Sequence, residues 1–306
     1  MTLESKLYHL EQYARGRPLD SYWAATGGPE PAGTDALAGD LTTDVAVIGG
    51  GYTGLSAAYH LAREHGIEAA VLEAGPVGWG ASGRNGGFCG LGGSKLGYGT
   101  MAQRYGLPAA AQFFAAQKAG VDLVRGLAAE ERIDIQPTGE GEHYVAHRPN
   151  RWHVLENVAG TVQRLFGERW PLWRAAELEE RLLRSPEAHG CLVVPHYFGL
   201  HPLRYVRGLA AAAARRGVRV CARTQVVAWQ RGGGRHRLTT PHGTVTARRV
   251  LVATNGYTPE GLAPDLHGRV LPALSGILVT RPLTGAELMA QGWTRPALVA
   301  DTRNLL

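Results

Sequence analysis

Three glycines near the start of the chain have the spacing that binds a dinucleotide phosphate. Gly49, Gly51 and Gly54 form a G-x-G-x-x-G pattern directly after the apolar run Val45 to Ile48. In this pattern the first glycine permits a tight turn and the second lets a pyrophosphate approach the backbone. The third lets the following helix pack close to the strand. The N–H groups and the positive dipole end of that helix then attract the phosphates.

An acidic residue after the next apolar run supplies the second part of the pattern. Ala69 to Leu72 is predicted to be a parallel strand, and Glu73 follows it directly. A carboxylate at this position accepts hydrogen bonds from the hydroxyls of an adenosine ribose, and it would repel a 2′-phosphate. The order of strand, loop, helix, strand and acid therefore favours FAD or NAD over NADP. The alternative is a structural turn in another α/β protein.

A second glycine-dense segment extends from Gly75 to Gly87. So many glycines are unfavourable in a regular helix or strand, but they suit backbone that presses closely against a ligand. A flexible linker is the alternative, and Trp79, Arg84 and Asn85 within the segment argue against it.

Composition narrows the protein class. The chain has 306 residues, 44% of them hydrophobic, and a net charge of +6 from basic residues that are scattered rather than clustered. No nucleic-acid partner is therefore predicted. No apolar run is long enough for a membrane span, and the first residues do not resemble a signal peptide. Three cysteines without C-x-x-C spacing are typical of a cytoplasmic protein and predict no metal site.

The remaining elements alternate between helical and strand-like segments, which predicts an α/β fold. Residues 1–40 are predicted to form an N-terminal arm, which includes Tyr8 and Tyr13, followed by a loop. Helices are predicted over 108–132, 151–166, 175–183 and 203–216. A β-meander that rejoins the first sheet is predicted over 218–221, 225–229, 237–240, 244–247 and 250–253.

Five stretches of the chain together resemble the D-amino-acid-oxidase-like (DAO) family of FAD-dependent flavoproteins. They are residues 21–25 (SYWAA), 44–58 (DVAVIGGGYTGLSAA), 78–87 (GWGASGRNGG), 199–202 (GLHP) and 250–257 (VLVATNGY). The stretch 78–87 is far more specific than the first glycine pattern. It indicates FAD rather than NAD as the cofactor.

The resemblance implies FAD contacts along these stretches. The pyrophosphate would lie on the first glycine loop, the ribose at Glu73, the flavin along the second glycine-rich segment, and the adenine against the backbone of Val226. The implied cofactor-binding residues are Gly49, Gly51, Tyr52, Thr53, Gly54, Glu73, Ala81, Ser82, Gly86, Gly87, Val226, Ala253 and Thr254. Some family members attach FAD covalently through a histidine in the second segment. No histidine occurs between Gly66 and Glu142, so non-covalent FAD is predicted.

The resemblance also implies how the chain divides into domains. A Rossmann-like FAD-binding domain, with a parallel sheet, helices and the β-meander, would comprise 41–100 and 187–258. An interleaved α+β substrate domain would comprise 101–186 and 259–306. Family members continue beyond Arg303 to Leu306, so we expect this chain to be truncated and its substrate domain to be incomplete.

The activity that the resemblance implies is oxidation of a C–N bond in an amine or amino acid. A hydride would pass to flavin N5, O2 would be the electron acceptor, and gamma-glutamylputrescine is a candidate substrate. Arg84 is a candidate for stabilising negative charge on reduced flavin, and His201 for placing substrate or handling a proton. The alternatives are that Arg84 pairs with a carboxylate and that His201 caps a helix or is a packed structural residue.

Two other functions stay open on the sequence alone. One is an NAD-dependent dehydrogenase on a similar sheet, and the other is a truncated, inactive FAD-binding fragment. Flavin absorption would distinguish a flavoprotein from an NAD-dependent dehydrogenase. Release of peroxide would distinguish an active oxidase from an inactive FAD-binding fragment. The sequence does not predict the oligomeric state.

Overall fold

The computed structural model describes residue 14 and residues 17–18, 20–262 and 264–302. Tyr8 and Tyr13 of the predicted N-terminal arm, and Arg303 to Leu306, lie outside the described residues. The chain divides into two compact units. The first comprises the described residues within Met1–Gly86, Ala128–Ile135 and His201–Leu278, and the second those within Gly87–Leu127, Gln136–Leu200 and Val279–Leu306.

Helices and short strands alternate along the described part of the chain. The strands are β1 (Leu41–Ile48), β2 (Ala69–Leu72), β3 (Phe88–Cys89), β4 (Glu142–Val145), β5 (Leu172–Arg174), β6 (Gly190–Val194), β7 (Phe198–Gly199), β8 (Arg219–Cys221), β9 (Ala228–Gly232), β10 (Arg235–Thr240), β11 (Gly243–Val252) and β12 (Leu298–Asp301). The helices are α1 (Tyr22–Thr26), α2 (Tyr52–His65), α3 (Tyr98–Tyr105), α4 (Leu107–Glu130), α5 (Trp152–Phe166), α6 (Ala175–Arg181), α7 (Pro202–Arg215) and α8 (Gly285–Ala290). In this part of the chain, no helix is both long and apolar enough to cross a membrane.

The first unit is built on a six-stranded sheet with the order β8-β2-β1-β11-β10-β9. Strands β8, β2, β1 and β11 run parallel, whereas β10 and β9 join them antiparallel. Ala46, Val47 and Ile48 of β1 are buried because this strand pairs on both sides. The predicted α/β fold, with a parallel sheet extended by a β-meander, is confirmed.

The meander differs from the prediction in its strand bounds. The predicted strands 244–247 and 250–253 form one strand, β11, because the intervening arginines do not interrupt it. Arg249 stays in register with Val45, and Arg248 forms an ion pair with Asp44 at 3.3 Å. The predicted strand 225–229 begins later, at β9.

A buried acid joins two segments of the first unit. Glu131 is 6% exposed and accepts a 2.6 Å hydrogen bond from the hydroxyl of Tyr59. Arg215 and Arg216 contact the same carboxylate at 2.7 and 2.8 Å. The hydrogen bond from Tyr59 and those from the two arginines lower the pKa of Glu131 to about 2.

We therefore expect Glu131→Gln to destabilise the protein at neutral pH by about 3 kcal/mol. A depressed carboxyl pKa stabilises the folded state above the unfolded value of 4.5, and this stabilisation disappears as the pH falls towards about 2. Urea denaturation at several pH values measures the effect. Glu130→Gln is the matched control, because Glu130 is 41% exposed and should contribute less than about 1 kcal/mol. Equal effects of both substitutions at neutral pH would contradict this assignment.

The second unit has its own four-stranded mixed sheet, with the order β12-β4-β6-β5. One face packs in a core cluster that includes Phe114 and Leu155, and the other packs against Leu178 and Leu182. Strands β3 and β7 form a separate two-stranded sheet. This is the α+β arrangement expected of the predicted substrate domain, whose role in binding substrate stays a prediction.

The boundaries of the two units differ from those of the predicted domains. Residues 87–100 and 187–200 belong to the second unit, since β3 pairs with β7 and β6 lies inside the four-stranded sheet. Residues 128–135 and 259–278 belong to the first unit. Residues 128–135 belong there in part because Glu131 accepts a hydrogen bond from Tyr59. Residues 259–278 belong there in part because Leu262 packs in the core of the first unit.

Candidate cofactor-binding site

A pocket lies in the first unit at the carboxyl ends of the parallel strands β1, β2 and β11. Ligands of open α/β sheets bind at this edge. The lining comes from the turn after β1, the residue after β2, the second glycine-rich segment, and the residues after β8 and β11. The predicted cofactor-binding residues that line the pocket are Gly49, Gly51, Glu73, Ala81, Ser82, Val226, Ala253 and Thr254.

The first and third glycines of the loop are required by close backbone contacts. Gly49 has a φ of +109°, and a Cβ there would lie 2.5 Å from the carbonyl oxygen of Ala253. A Cβ on Gly54 would lie 2.0 Å from the carbonyl oxygen of Gly49. The helix α2 can therefore lie against the turn only if residue 54 has no side chain.

The second glycine lets Ser82 of the second glycine-rich segment approach the turn closely. A Cβ on Gly51 would lie 2.8 Å from Oγ of Ser82, and the same Oγ accepts a 3.0 Å hydrogen bond from the N–H of Tyr52. Ser82 thus joins the predicted flavin segment to the first turn of α2.

Five predicted residues do not line the pocket. The hydroxyl of Tyr52 donates to the carbonyl of Pro202 at 3.2 Å, so its side chain is directed away from the pocket. Thr53 is exposed and Gly54 is packed beneath α2. Gly86 ends a segment of the first unit, and Gly87 begins the second. The FAD contacts that the family resemblance implies for these five residues therefore stay predictions.

Glu73 is held at the pocket wall by backbone N–H groups. Its Oε2 accepts a 2.6 Å bond from Gly50 and its Oε1 accepts a 2.9 Å bond from Gly75. A carboxylate can accept about four hydrogen bonds. These two bonds fix its orientation and are compatible with bonds from ribose hydroxyls.

Arg84 supports two aromatic side chains of the pocket wall. Its guanidinium donates a 2.6 Å bond to the hydroxyl of Tyr257 and lies 4.6 Å from the ring centre of Trp79. Both aromatic residues line the pocket, whereas Arg84 does not. The carboxylate partner considered from the sequence is replaced by a tyrosine hydroxyl and an aromatic face. The role of Arg84 towards reduced flavin stays a prediction.

His201 caps helix α7. Its Nδ1 accepts a 3.3 Å bond from the N–H of Arg204. Its Nε2 lies 3.0 Å from the hydroxyl of Thr26, which itself donates to the carbonyl of Tyr22. This pattern assigns the proton to Nε2. Burial, followed by the charge of Arg204, lowers the pKa of His201.

The side chain of His201 is 2% exposed and is not part of the pocket lining. The structure thus shows the helix-capping role that the sequence left as the alternative. The catalytic role stays a prediction that no contact in the pocket supports.

Several pocket residues were absent from the predicted set. Asn255 has a positive φ of +48° at the turn after β11, within the family stretch 250–257, which was the available sequence signal. Pro259 and Leu262 were assigned to the substrate domain, and no local pattern placed them here. The further lining residues are Ile48, Gly50, Leu72, Ala74, Gly78, Trp79, Gly80, Gln225, Asn255, Tyr257, Pro259 and Leu262.

The family model described as "FAD dependent oxidoreductase" (DAO) matches residues 44–305. A probable oxidoreductase OrdL of Rhizobium meliloti (strain 1021) is 32% identical over 86% of this chain and 60% of its own length. The gamma-glutamylputrescine oxidoreductase of Escherichia coli (strain K12) is 32% identical over 86% of this chain and 61% of its own length.

Solved structures have the same fold. A glycine oxidase from Geobacillus kaustophilus superimposes with a TM-score of 0.58 and 25% identity, covering 71% of this chain and 56% of that chain. The chain spans about 60% of the length of the two curated relatives. Both the family match and the pocket geometry lead to the same conclusion: the chain belongs to the DAO family of FAD-dependent oxidoreductases.

Proposed function

We propose that the first unit binds FAD and that the protein oxidises a C–N bond of an amine or amino acid. The observation that carries this proposal is the pocket in which the glycine turn, Glu73 and the 78–82 segment come together. The names of the relatives support the substrate class, since they include a gamma-glutamylputrescine oxidoreductase and a glycine oxidase. We propose gamma-glutamylputrescine as one candidate substrate.

The residues of the pocket fit an adenine dinucleotide. The N–H groups in the first turn of α2, apart from that of Tyr52, which donates to Ser82, and the positive dipole end of the helix would hold the pyrophosphate. Glu73, oriented by Gly50 and Gly75, would accept hydrogen bonds from the ribose. Val226 is buried in a core cluster with Ile48 and Leu72, and this cluster gives the pocket an apolar wall for the adenine.

When bound, FAD supplies the two-electron chemistry, for which we propose acceptance of a hydride at N5 and return of the electrons to O2. The contribution of the chain is to orient the cofactor and to exclude water. Trp79 and Tyr257, held by Arg84, form part of the wall that would do so.

Flavin absorption and peroxide release test the proposal. We expect the purified chain to absorb at flavin wavelengths after incubation with FAD, and a chain with an intact substrate site to release peroxide with an amine. A chain that binds NAD instead of FAD would contradict the cofactor assignment. A chain that binds FAD but does not reduce it with any amine would favour the inactive-fragment alternative.

We further propose that FAD is bound non-covalently. Because the segment 78–87 contains no histidine, acid precipitation should release all of the flavin into the supernatant. The measurement compares flavin absorbance of the supernatant and of the redissolved pellet. Flavin retained in the pellet would show a covalent bond and would contradict the prediction.

Arg84 is proposed as a positioning residue for the pocket wall. Arg84→Ala should weaken FAD binding by roughly three- to tenfold, because Trp79 and Tyr257 lose a cation–π contact and a hydrogen bond. Arg84→Lys, which keeps the charge but not the planar group, should have a smaller effect. Equal FAD affinity in all three proteins would exclude this role.

A flavin-reduction measurement separates positioning from catalysis. With saturating FAD, a positioning role leaves the reduction rate of Arg84→Ala close to that of the unchanged protein. A rate that falls at saturation would instead support the predicted role of Arg84 towards reduced flavin.

We propose a cytoplasmic location on the basis of the cysteines. Cys89, Cys191 and Cys221 form no disulfide in the described structure. Burial raises the pKa of Cys89 to about 11 and that of Cys191 to about 12, so both are thiols at neutral pH. Unreactive, unpaired thiols are typical of proteins from a reducing compartment.

A further inference from the structure

A second cavity of the first unit shares the loop after β2 with the cofactor pocket. Its other walls come from described residues between 17 and 30, from helix α7 and from the turn after β8. Four arginines and one acid line it, which gives the lining a formal net charge of +3. These charged residues are Arg17, Glu30, Arg84, Arg207 and Arg223, and none of them lines the cofactor pocket.

Arg207 of α7 brings a partly buried cation to this cavity. Its guanidinium donates a hydrogen bond to the carbonyl of Gly28. Among the residues that the structure describes, its Nε is buried and has no hydrogen-bond partner. Burial lowers the pKa of Arg207, and the negative charge of Glu30 opposes this effect only in part. A buried guanidinium N–H without an acceptor destabilises the folded protein, and a bound anion would remove that penalty.

Glu30 is shared between two arginines of the lining. It forms an ion pair with Arg223, and its charge also acts on Arg207. One carboxylate cannot neutralise two guanidinium groups, so positive charge remains at the cavity. Both side chains of the ion pair are at least a third exposed, and such pairs contribute little to stability. Arg223 can therefore exchange Glu30 for another anion at low cost.

The backbone holds Arg223 at the cavity in an unusual conformation. Its φ is +51°, in the left-handed region that residues with a side chain rarely adopt. The N–H of Arg223 donates a 2.9 Å bond to the carbonyl of Gly75, which fixes the turn after β8 to the loop after β2. Strained residues of this kind occur preferentially at ligand-binding sites. The strain at Arg223 is thus a second, independent indication of a ligand.

The arrangement of the arginines suits a phosphate group. They come from separate segments, so their guanidinium groups reach the cavity from different sides. The oxygens of a phosphate point in several directions, and each accepts a hydrogen bond from a guanidinium, whereas a carboxylate accepts within one plane. A dianion also offsets the excess positive charge better than a monoanion does.

We propose that this cavity binds a phosphate group, held by Arg207 and Arg223. The group belongs to inorganic phosphate or to a phosphate monoester. The site is distinct from the pyrophosphate site proposed at the first turn of α2, because neither arginine lines the cofactor pocket. The proposal does not depend on the proposed flavin chemistry, in which these two residues take no part.

Calorimetric titration of the full chain at constant ionic strength tests the proposal. Inorganic phosphate should bind at least about tenfold more tightly than succinate, a dianion with planar carboxylates. Glycerol 2-phosphate identifies the source of the group. Tighter binding than that of inorganic phosphate would support a phosphorylated metabolite, and weaker binding would support free phosphate. Equal affinities for phosphate and succinate would overturn the proposal, as would the absence of phosphate binding.

Substitution of the two arginines tests their assigned roles. Arg207→Gln should weaken phosphate binding about tenfold or more, because a buried charged donor is lost. Arg223→Gln should weaken it about threefold or more, since Arg223 is more exposed. Arg219→Gln is the matched control for the change of charge. Arg219 is exposed and lies outside the cavity lining, so this variant should bind phosphate like the unchanged protein.

Glu30→Gln gives the test an opposite sign. It removes the carboxylate that competes for Arg223, so phosphate should bind about threefold more tightly or better. A gain in affinity cannot result from a variant that fails to fold. Phosphate should also raise the melting temperature of the unchanged protein, and raise that of Arg207→Gln less. Weaker phosphate binding by Glu30→Gln, or equal binding by Arg207→Gln and Arg219→Gln, would overturn the proposal.

A second titration in the presence of saturating FAD separates this cavity from the cofactor pocket. Phosphate should bind with the same affinity as in the absence of FAD. If FAD abolishes phosphate binding, the phosphates of the dinucleotide occupy the same site and the proposal is wrong. None of these titrations involves flavin reduction or turnover, so their failure is distinct from failure of the proposed oxidation.

Discussion

Replacing Gly54 with alanine should remove FAD binding and destabilise the protein by about 3 kcal/mol or more. The added Cβ would lie 2.0 Å from the carbonyl oxygen of Gly49 and 3.0 Å from Cγ1 of Val47. The first contact is with backbone, so it can be relieved only if α2 moves away from the turn. This movement displaces the N–H groups on which the pyrophosphate is proposed to lie.

Gly232→Ala is the control for this experiment. Gly232 belongs to the same sheet, and a Cβ there would meet no atom within 4 Å. The same chemical change should therefore leave both FAD affinity and the unfolding midpoint nearly unchanged. If Gly54→Ala binds FAD like the unchanged protein and melts at the same temperature, the claim that α2 packs on the turn only when residue 54 has no side chain is wrong.

Replacing Glu73 with alanine should weaken FAD binding about 100-fold or more, which corresponds to about 3 kcal/mol. Two proposed ribose hydrogen bonds are lost, and the N–H groups of Gly50 and Gly75 lose the acceptors at 2.6 and 2.9 Å that orient the pocket wall. Glu73→Gln keeps one acceptor oxygen, so its FAD affinity should lie between those of Glu73→Ala and the unchanged protein. Fluorescence titration with FAD measures the affinities.

The choice of flavin distinguishes ribose recognition from general damage to the pocket. FMN has no adenosine, so its weaker binding should be affected much less than that of FAD by Glu73→Ala. Glu64→Gln is a control for the change of charge, because Glu64 is half-exposed and contacts His60 on the outside of α2. Equal losses of FMN and FAD affinity would show that Glu73 acts on the pocket wall and not on the ribose.

Local sequence patterns were sufficient for the dinucleotide turn and its sheet. The close contact of Gly49 with Ala253 is distant in sequence. The packing of Gly54 on Gly49 and Val47 joins residues that are close in sequence, however, and strand β2 is an apolar run that ends at the predicted acid. These features depend on short-range geometry, which the order of residue types expresses directly. The α/β class of the first unit follows from the same segments.

The remaining features depend on partners distant in sequence. Arg84 finds the hydroxyl of Tyr257, and Ser82 accepts from the N–H of Tyr52. No local pattern predicts either pairing. We therefore considered a carboxylate partner for Arg84, whereas the structure has a tyrosine hydroxyl there. The capping role of His201 was foreseeable, since Pro202 occupies the first position of α7, but its bond to Thr26 depends on a contact across the first unit.

The predicted domain bounds differ from the two observed units because they too depend on partners distant in sequence. Segments such as 187–200 have ordinary strand patterns, and only their pairing shows to which sheet they belong. Strand β6 pairs with β4 and β5 in the second unit, although the helix that follows it in the chain, α7, lies in the first. A parallel sheet with long insertions therefore cannot be divided from strand patterns alone.

A crystal structure of the full chain grown with FAD would show whether the dinucleotide lies in the pocket of the first unit. We expect density for the pyrophosphate at the first turn of α2 and ribose hydroxyls within hydrogen-bond distance of Glu73. We also expect adenine beside Val226. Density for the dinucleotide at another site, or a Glu73 carboxylate without contact to the ribose, would show that the proposed FAD site is wrong.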